Sequence, residues 1–183
     1  MAISSGGNRA TTQKIVNDYN TLSKAIEGLR AVNYKIVLTI GSWDMLHIGH
    51  LRYLNMAKGF GDILVVGVDS DRGIKVYKGP MRPVVPEVER SEMLSYQSCV
   101  DFVTVIDDIN EKGQWQYGLA KAVKPDVFVA VVDSYPQEQL DEIKKHCKEL
   151  VVLPRQAENT STSRLIQGTI KKHLDEMYKL IEG

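Results

Sequence analysis

A chain of 183 residues, 43% of them hydrophobic, can bury one sizeable core, and its length fits a single α/β unit better than two. Lys plus Arg and Asp plus Glu number 23 each, so the net charge is zero and gives no reason to expect a nucleic-acid or polyanion surface; any anion binding must be local. The two cysteines, Cys99 and Cys147, argue against a disulfide framework, and no C-x-x-C spacing points to zinc. No apolar run approaches a membrane span and the first residues lack the apolar core of a secretion signal, so a soluble cytoplasmic protein is expected.

Met1 to Ala10 offers Ser, Gly and Asn with little to bury and reads as a disordered lead-in. From Thr11, apolar residues at Ile15, Tyr19, Leu22, Ile26 and Leu29 alternate steps of four and three, which predicts a helix. Residues 11–32 are thus expected as an N-terminal helical extension to a domain over 33–183, covering a sheet face or a partner subunit. Ile36 to Ile40 is a short run rich in branched apolar residues, followed by Gly41, a polar turn, and a helical pattern through Leu51, Leu54 and Ala57 that stops at Gly59 and Gly61. Ile63 to Val68 is a second buried-type strand.

Asp69 to Pro86 reads as a loop because of Gly73, Gly79 and three prolines, although it carries Lys75, Lys78 and Arg82. A helix is predicted over Glu87 to Cys99, a strand over Phe102 to Ile106, and a short helix over Gln114 to Val123. Trp115 in that segment is assigned to the core or to a lid over it. Asp126 to Val132 is the clearest buried strand, a helix follows from Pro136 to about Lys148, and Leu150 to Leu153 is the last strand. Thr160 to Ser163 precedes a long helix ending near Ile181, where hydroxyls before an apolar run form a capping pattern. Alternating strands and helices predict a Rossmann-like, doubly wound parallel sheet of five strands in a single domain. Ligands of such sheets sit beyond the carboxyl ends of the strands, where strand order reverses. The loops after Ile40, Val68, Val132 and Leu153 are therefore expected to meet.

The stretch from Lys35 to Leu54 carries the strongest chemical signal. A helix N-terminus has unpaired N–H groups and partial positive charge, and here it holds His47, Gly49 and His50, so it reads as a phosphate site. G-S-W-D-M-L-H-I-G-H, Gly41 to His50, resembles the G-x-F-D-x-x-H-x-G-H signature of the nucleotidyltransferases, with Trp43 in place of Phe. Lys78 to Arg90, K-G-P-M-R-P-V-V-P-E-V-E-R, resembles the K-G-x-x-R-P-V-x-P-x-x-x-R segment of heptose 1-phosphate adenylyltransferases. Leu153 to Ile166 is similar to the L-P-R-T-x-G-I-S-T-T-x-I ending of glycerol-3-phosphate cytidylyltransferases.

The resemblance implies a reaction that joins a nucleotidyl group to a phosphorylated acceptor and releases pyrophosphate. It implies His47, His50 and Lys78 as catalytic residues. Gly41, Ser42, Trp43, Asp44, Gly49, Asp133, Arg155, Ser161, Thr162 and Ser163 are implied around the nucleotide, and Lys75, Arg82 and Arg90 toward the acceptor. Asp44 is also a candidate for orienting the turn. Magnesium is expected to arrive with the triphosphate, no protein metal ligand is assigned, and a homodimer is expected because relatives form dimers.

Two departures stand out: Val131 and Val132 occupy places where relatives have Gly-Gly or Gly-Asp before Asp133, and the Glu158 to Thr160 loop has one extra residue with Asn159-Thr160 in place of Gly-Ile. Adenylyl transfer to a sugar 1-phosphate ranks first and cytidylyl transfer to a polyol phosphate second. A non-catalytic nucleotide-binding protein of the same fold is the reading from a different class.

Overall fold

The computed structural model describes residues 13–110 and 114–182. Five strands, β1 (Ile36–Gly41), β2 (Ile63–Asp69), β3 (Phe102–Ile106), β4 (Val127–Val131) and β5 (Glu149–Leu153), form one parallel sheet in the order β3-β2-β1-β4-β5. The register runs from Ile36 opposite Ile63 to Gly41 opposite Val68, and Val37 faces Val127 on the other side. Strand order reverses between β1 and β4, so the switch point lies just beyond Gly41. This is the doubly wound architecture that the sequence predicts.

The period-two alternation of the strands feeds two cores. Val37, Leu64, Val66, Val103, Val127 and Val129 face one layer, with Tyr53, Leu54 and Ala57 of α2 (Ile48–Lys58) and Leu94 of α4 (Glu87–Ser95). Ile36, Leu38, Val65 and Phe128 face the other, with Leu22 and Ile26 of α1 (Tyr19–Ala31), Leu119, Ala120 and Val123 of α5 (Gly118–Val123) and Ile143 of α6 (Gln137–Lys144). Leu22 and Ile26 are entirely enclosed, and burying side chains of that size is worth about 1.5–3 kcal/mol each. The segment expected as an extension is thus a layer of the domain itself.

Three expectations change. The N-terminal helix begins at Tyr19, capped by Asp18 accepting from the Thr21 amide, because Lys14 to Val16 run alongside β3. Val16 N–H bonds the Val103 carbonyl and Val103 N–H bonds that of Lys14, so Ile15 covers a sheet edge. The stretch read as a loop contains α3 (Asp71–Lys78), whose Ser70 cap accepts from Gly73 N–H and which ends at Gly79 with φ of 88°. The segment before α5 is extended, with Trp115 bridged to Ile109. The last helix, α7 (Thr162–Glu182), forms where the periodicity places it. The lead-in over Met1 to Ala10 lies outside the described residues.

Candidate active site

A cleft of about 930 Å³ opens beyond the carboxyl ends of β1, β2 and β4. Its floor starts at Gly41 and Ser42, where the chain leaves β1 through two left-handed non-glycine residues, Trp43 (φ 52°) and Met45 (φ 51°). Such backbone costs on the order of 1–3 kcal/mol per residue and persists only where the surroundings over-determine it. Here they do. The Trp43 indole N–H donates to the Gly67 carbonyl at 2.8 Å, and its ring lies edge-on to His50 at 5.6 Å between centroids. Asp44 is fully buried and accepts from the Val84 and Val85 amides and from Arg82 Nε at 2.7 Å. Burial opposes its charge, but these donors prevail and hold the carboxyl below its usual range.

His47 and His50 open α2 and close its first turn reciprocally. The Gly49 amide donates to His47 Nδ1 at 3.1 Å, and the His47 amide donates to His50 Nδ1 at 3.3 Å. The helix-start pairing and the phosphate role are therefore compatible. A neutral imidazole accepting at Nδ1 carries its proton on Nε2, which leaves each ring one N–H to donate. The rings stack at 3.8 Å and both line the cleft. Burial, then the neighbouring His47 and Lys78, push His50 down to about 3, and burial lowers His47, so both are neutral donors near pH 7. Gly49 is required for packing: a Cβ there would meet Ala157 Cβ and His47 Cε1 at 3.0 Å.

From α3, Lys78 reaches across to donate to Ser42 Oγ at 2.7 Å; desolvation, then Arg82, lower its pKa. Arg82, Asp133 and Arg155 also line the cleft, Asp133 with φ of 62°. The opposite rim is the start of α7. Ser161, Thr162 and Ser163 line the cleft there, Ser161 Oγ capping the Arg164 amide at 3.3 Å and Thr162 Oγ1 donating to the Asp44 carbonyl at 2.8 Å. Two helix N-termini thus border one cavity.

Three candidate residues are placed differently. Arg90 is completely buried, and donates to the carbonyls of Val85, Ser42 and Asp69 and to Asp71 Oδ1 at 2.5–2.9 Å. It ties the turn after β1 to the end of β2 and cannot reach an acceptor. Lys75 is exposed one turn back on α3 and does not line the cleft. Asp44 is likewise beneath the floor, both oxygens engaged. Val131 lines the cleft while packing on the core, and Val132 is turned out, its amide bonded to the Leu153 carbonyl.

Other lining residues escaped the sequence reading. Asp69 ends β2 nearly buried, takes a 2.5 Å bond from the Tyr77 hydroxyl, and has Oδ1 without a partner among the described residues. Burial pushes its carboxyl up to about 6, partly offset by Tyr77. Tyr77, Asp108, Trp115 and Tyr117 continue that wall. Their signal was the position of Asp69 at a strand's carboxyl end, which the loop assignment of Asp69 to Pro86 obscured.

The cytidylyltransferase-like family profile matches residues 38–171, which contain both helix starts and all five strands apart from the first residues of β1. The chain belongs to that family. A similar relative is the bifunctional protein HldE of Helicobacter pylori strain HPAG1, 39% identical over 154 residues, covering 84% of this chain and 32% of the relative. HldE of Desulfatibacillum aliphaticivorans is 38% identical over 147 residues, covering 80% and 29%. The chain therefore spans about a third of the curated relatives it matches. Among solved structures, the lipopolysaccharide core biosynthesis protein of Thermoplasma volcanium GSS1 superposes with a TM-score of 0.53 at 27% identity, over 67% of this chain and 97% of that one. The chain is accordingly a nucleotidyltransferase-family α/β domain, and among the described residues no helix is long and apolar enough to cross a membrane.

Proposed function

We propose that this chain transfers a nucleoside monophosphate from a nucleoside triphosphate, ATP in first place, to a phosphorylated sugar such as a heptose 1-phosphate, releasing pyrophosphate. The observation that carries this reading is the pair of helix starts bordering one cleft, with His47, His50 and Lys78 on one side and Ser161 and Ser163 on the other. A phosphate monoester has its second pKa near 6 and arrives ionised, so no base is needed. Its oxygen attacks the α-phosphorus, the new P–O bond forms as the bond to the β-phosphate oxygen breaks, and pyrophosphate leaves with the electron pair. The residues' task is alignment and charge neutralisation. His47 and His50 donate through Nε2, Lys78 supplies a mobile cation between the two phosphorylated reactants, and the N-terminus of α7 receives the outer phosphates. Magnesium in this reading arrives with the triphosphate.

Choice of ATP rests on the Lys78 to Arg90 resemblance and the HldE relatives. A hydroxylated acceptor is supported by the polar and aromatic wall of Asp69, Asp108, Tyr77 and Trp115. Cytidylyl transfer to a polyol phosphate such as glycerol 3-phosphate is the second reading, favoured by the Leu153 to Ile166 segment. Pyrophosphate release measured over a matrix of triphosphates and phosphorylated acceptors tests both. Highest kcat/KM for ATP with a sugar phosphate is expected; preference for CTP with a polyol phosphate reverses the order. Triphosphate binding with no release for any acceptor refutes transfer and leaves a binding protein.

A further inference from the structure

Asp69 and Tyr77 take no part in the bond-making steps of the proposed transfer. Asp69 is 3% exposed at the end of β2, with Oδ1 unpartnered among the described residues. A buried carboxylate of this kind is costly unless it compensates a cation. Tyr77, half exposed on the last turn of α3, gives its hydroxyl to Asp69 Oδ2 at 2.5 Å. Its neighbour Lys78 donates to Ser42 Oγ at 2.7 Å, and the ammonium lies 5.3 Å from the centroid of the Tyr77 ring. The Ser42 hydroxyl interacts in turn with that of Tyr77.

These contacts run in one direction. An ammonium can only donate and an ionised carboxylate can only accept, whereas a hydroxyl can do both. Lys78 donates to Ser42, Ser42 to Tyr77, and Tyr77 to Asp69, so each group is used in the sense its chemistry allows. A chain with a positive charge at one end and a negative charge at the other is polarised along its length, which strengthens its bonds. One side chain fixes both anchors: Arg90 donates to the Ser42 carbonyl and, at 2.9 Å, to the Asp69 carbonyl.

Electrostatics says why Lys78 requires support. Desolvation, then Arg82 and more weakly Arg90, disfavour its charge, while Asp69 and Asp44 favour it. His50 faces it from α2 as a neutral ring. Asp44 is committed to Arg82 and to the Val84 and Val85 amides, which leaves Asp69 as the carboxylate joined to Lys78 through hydroxyls. Burial pushes Asp69 up to about 6, so it is ionised throughout the alkaline range in which a lysine titrates.

We propose that Asp69 and Tyr77 are positioning residues: through the Tyr77 and Ser42 hydroxyls, the Asp69 carboxylate holds the Lys78 ammonium in place at the end of β1. What the held cation serves rests on the proposed transfer, in which Lys78 lies between the two phosphorylated reactants. The relay itself does not.

Competitive labelling of the full chain with acetic anhydride across a pH series, read by mass spectrometry, follows the ionisation of Lys78 without turnover, with exposed Lys75 as internal reference. Asp69→Asn keeps an acceptor for Tyr77 and removes the charge; the Lys78 midpoint should fall by about one unit, tenfold in the ionisation constant. Tyr77→Phe keeps the charge and cuts the link, and should move the midpoint about half as far. Its ring is already half exposed, so the fold does not depend on the hydroxyl. A merely structural role changes the limiting labelling rate and leaves the midpoint in place. In pyrophosphate release, both variants should lower kcat about tenfold with KM for the triphosphate within about twofold, and the alkaline limb should move with the labelling midpoint. An unmoved midpoint in either variant would overturn the relay. A shifted midpoint in a chain that releases no pyrophosphate would uphold the relay and refute the transfer.

Discussion

The two helices that border the cleft share a start and differ in everything after it. Tyr53, Leu54 and Ala57 of α2 are buried in the sheet's core, and its first turn is locked by the His47 and His50 rings, by Trp43 and, through the turn, by Asp44 and Arg90. Beyond Ile166 the residues of α7 up to 181 are exposed, and among the described residues one side-chain bond, Thr162 Oγ1 to the Asp44 carbonyl, joins the helix start to the motif turn. One side of the clamp is thus set by the core. The other is set by that tether at the cleft, with the outer face of its helix exposed. Two helix starts on one cleft are thus held with very different stiffness.

Breaking the stiff side should cost most. Arg90→Ala removes a buried guanidinium and its four hydrogen bonds, one to the buried Asp69 carbonyl and three to part-buried acceptors, with an expected loss of about 3–5 kcal/mol in urea unfolding. A loss below about 1 kcal/mol would show that Arg90 is not the strut described. His47→Ala or His50→Ala should lower kcat for pyrophosphate release by about 10²–10³-fold, or about 3–4 kcal/mol, if each Nε2 donates to developing charge. Wild-type turnover in both would remove them from the chemistry.

The acid response sharpens the same side. The folded-state pKa of His50, about 3, lies below the ordinary imidazole value of 6.5, so protons bind preferentially to the unfolded chain. The stability contributed by a neutral His50 is present above pH 6.5 and is lost as pH falls toward 3. Between pH 6.5 and 5 this amounts to about 2 kcal/mol at most. Asp69, raised to about 6, acts in the opposite sense over its own window, gaining stability as pH falls through 6 toward 3.8. The stability of wild type relative to His50→Gln should therefore decline as pH falls from 6.5 to 5. A constant difference would mean that His50 is not desolvated in the fold.

The tethered side should respond more mildly. Thr162→Val deletes the bond to the Asp44 carbonyl and is expected to raise KM for the triphosphate about fivefold, roughly 1 kcal/mol, with the domain's melting temperature nearly unchanged. A matching fall in melting temperature would place α7 within the cooperative fold. Lys75→Ala marks the lower end, with kcat/KM expected within twofold of wild type because the side chain does not line the cleft. A tenfold loss would return it to the site.

The sequence by itself determined the sheet, because strands of continuous branched apolar residues buried on both faces leave a signal that needs no partner to be read. It also determined both ends of the clamp, since a histidine pair or a hydroxyl run at the start of an apolar period is local information. Short α3 was obscured by its glycines and the prolines beyond it, although Ser70 and Gly79 mark its ends. What only tertiary structure decided was the direction in which each charge points. Arg90 and Arg82 look alike in the motif, but backbone carbonyls from three places converge on Arg90 and draw it inside, while Arg82 stays at the cleft. Asp69 became a cleft residue because β2 ends beside the switch point. The periodicities of α1 and α7 predict two amphipathic helices equally well; only the folded domain shows that one apolar face is covered and the other is not, because burial depends on neighbours distant in the chain.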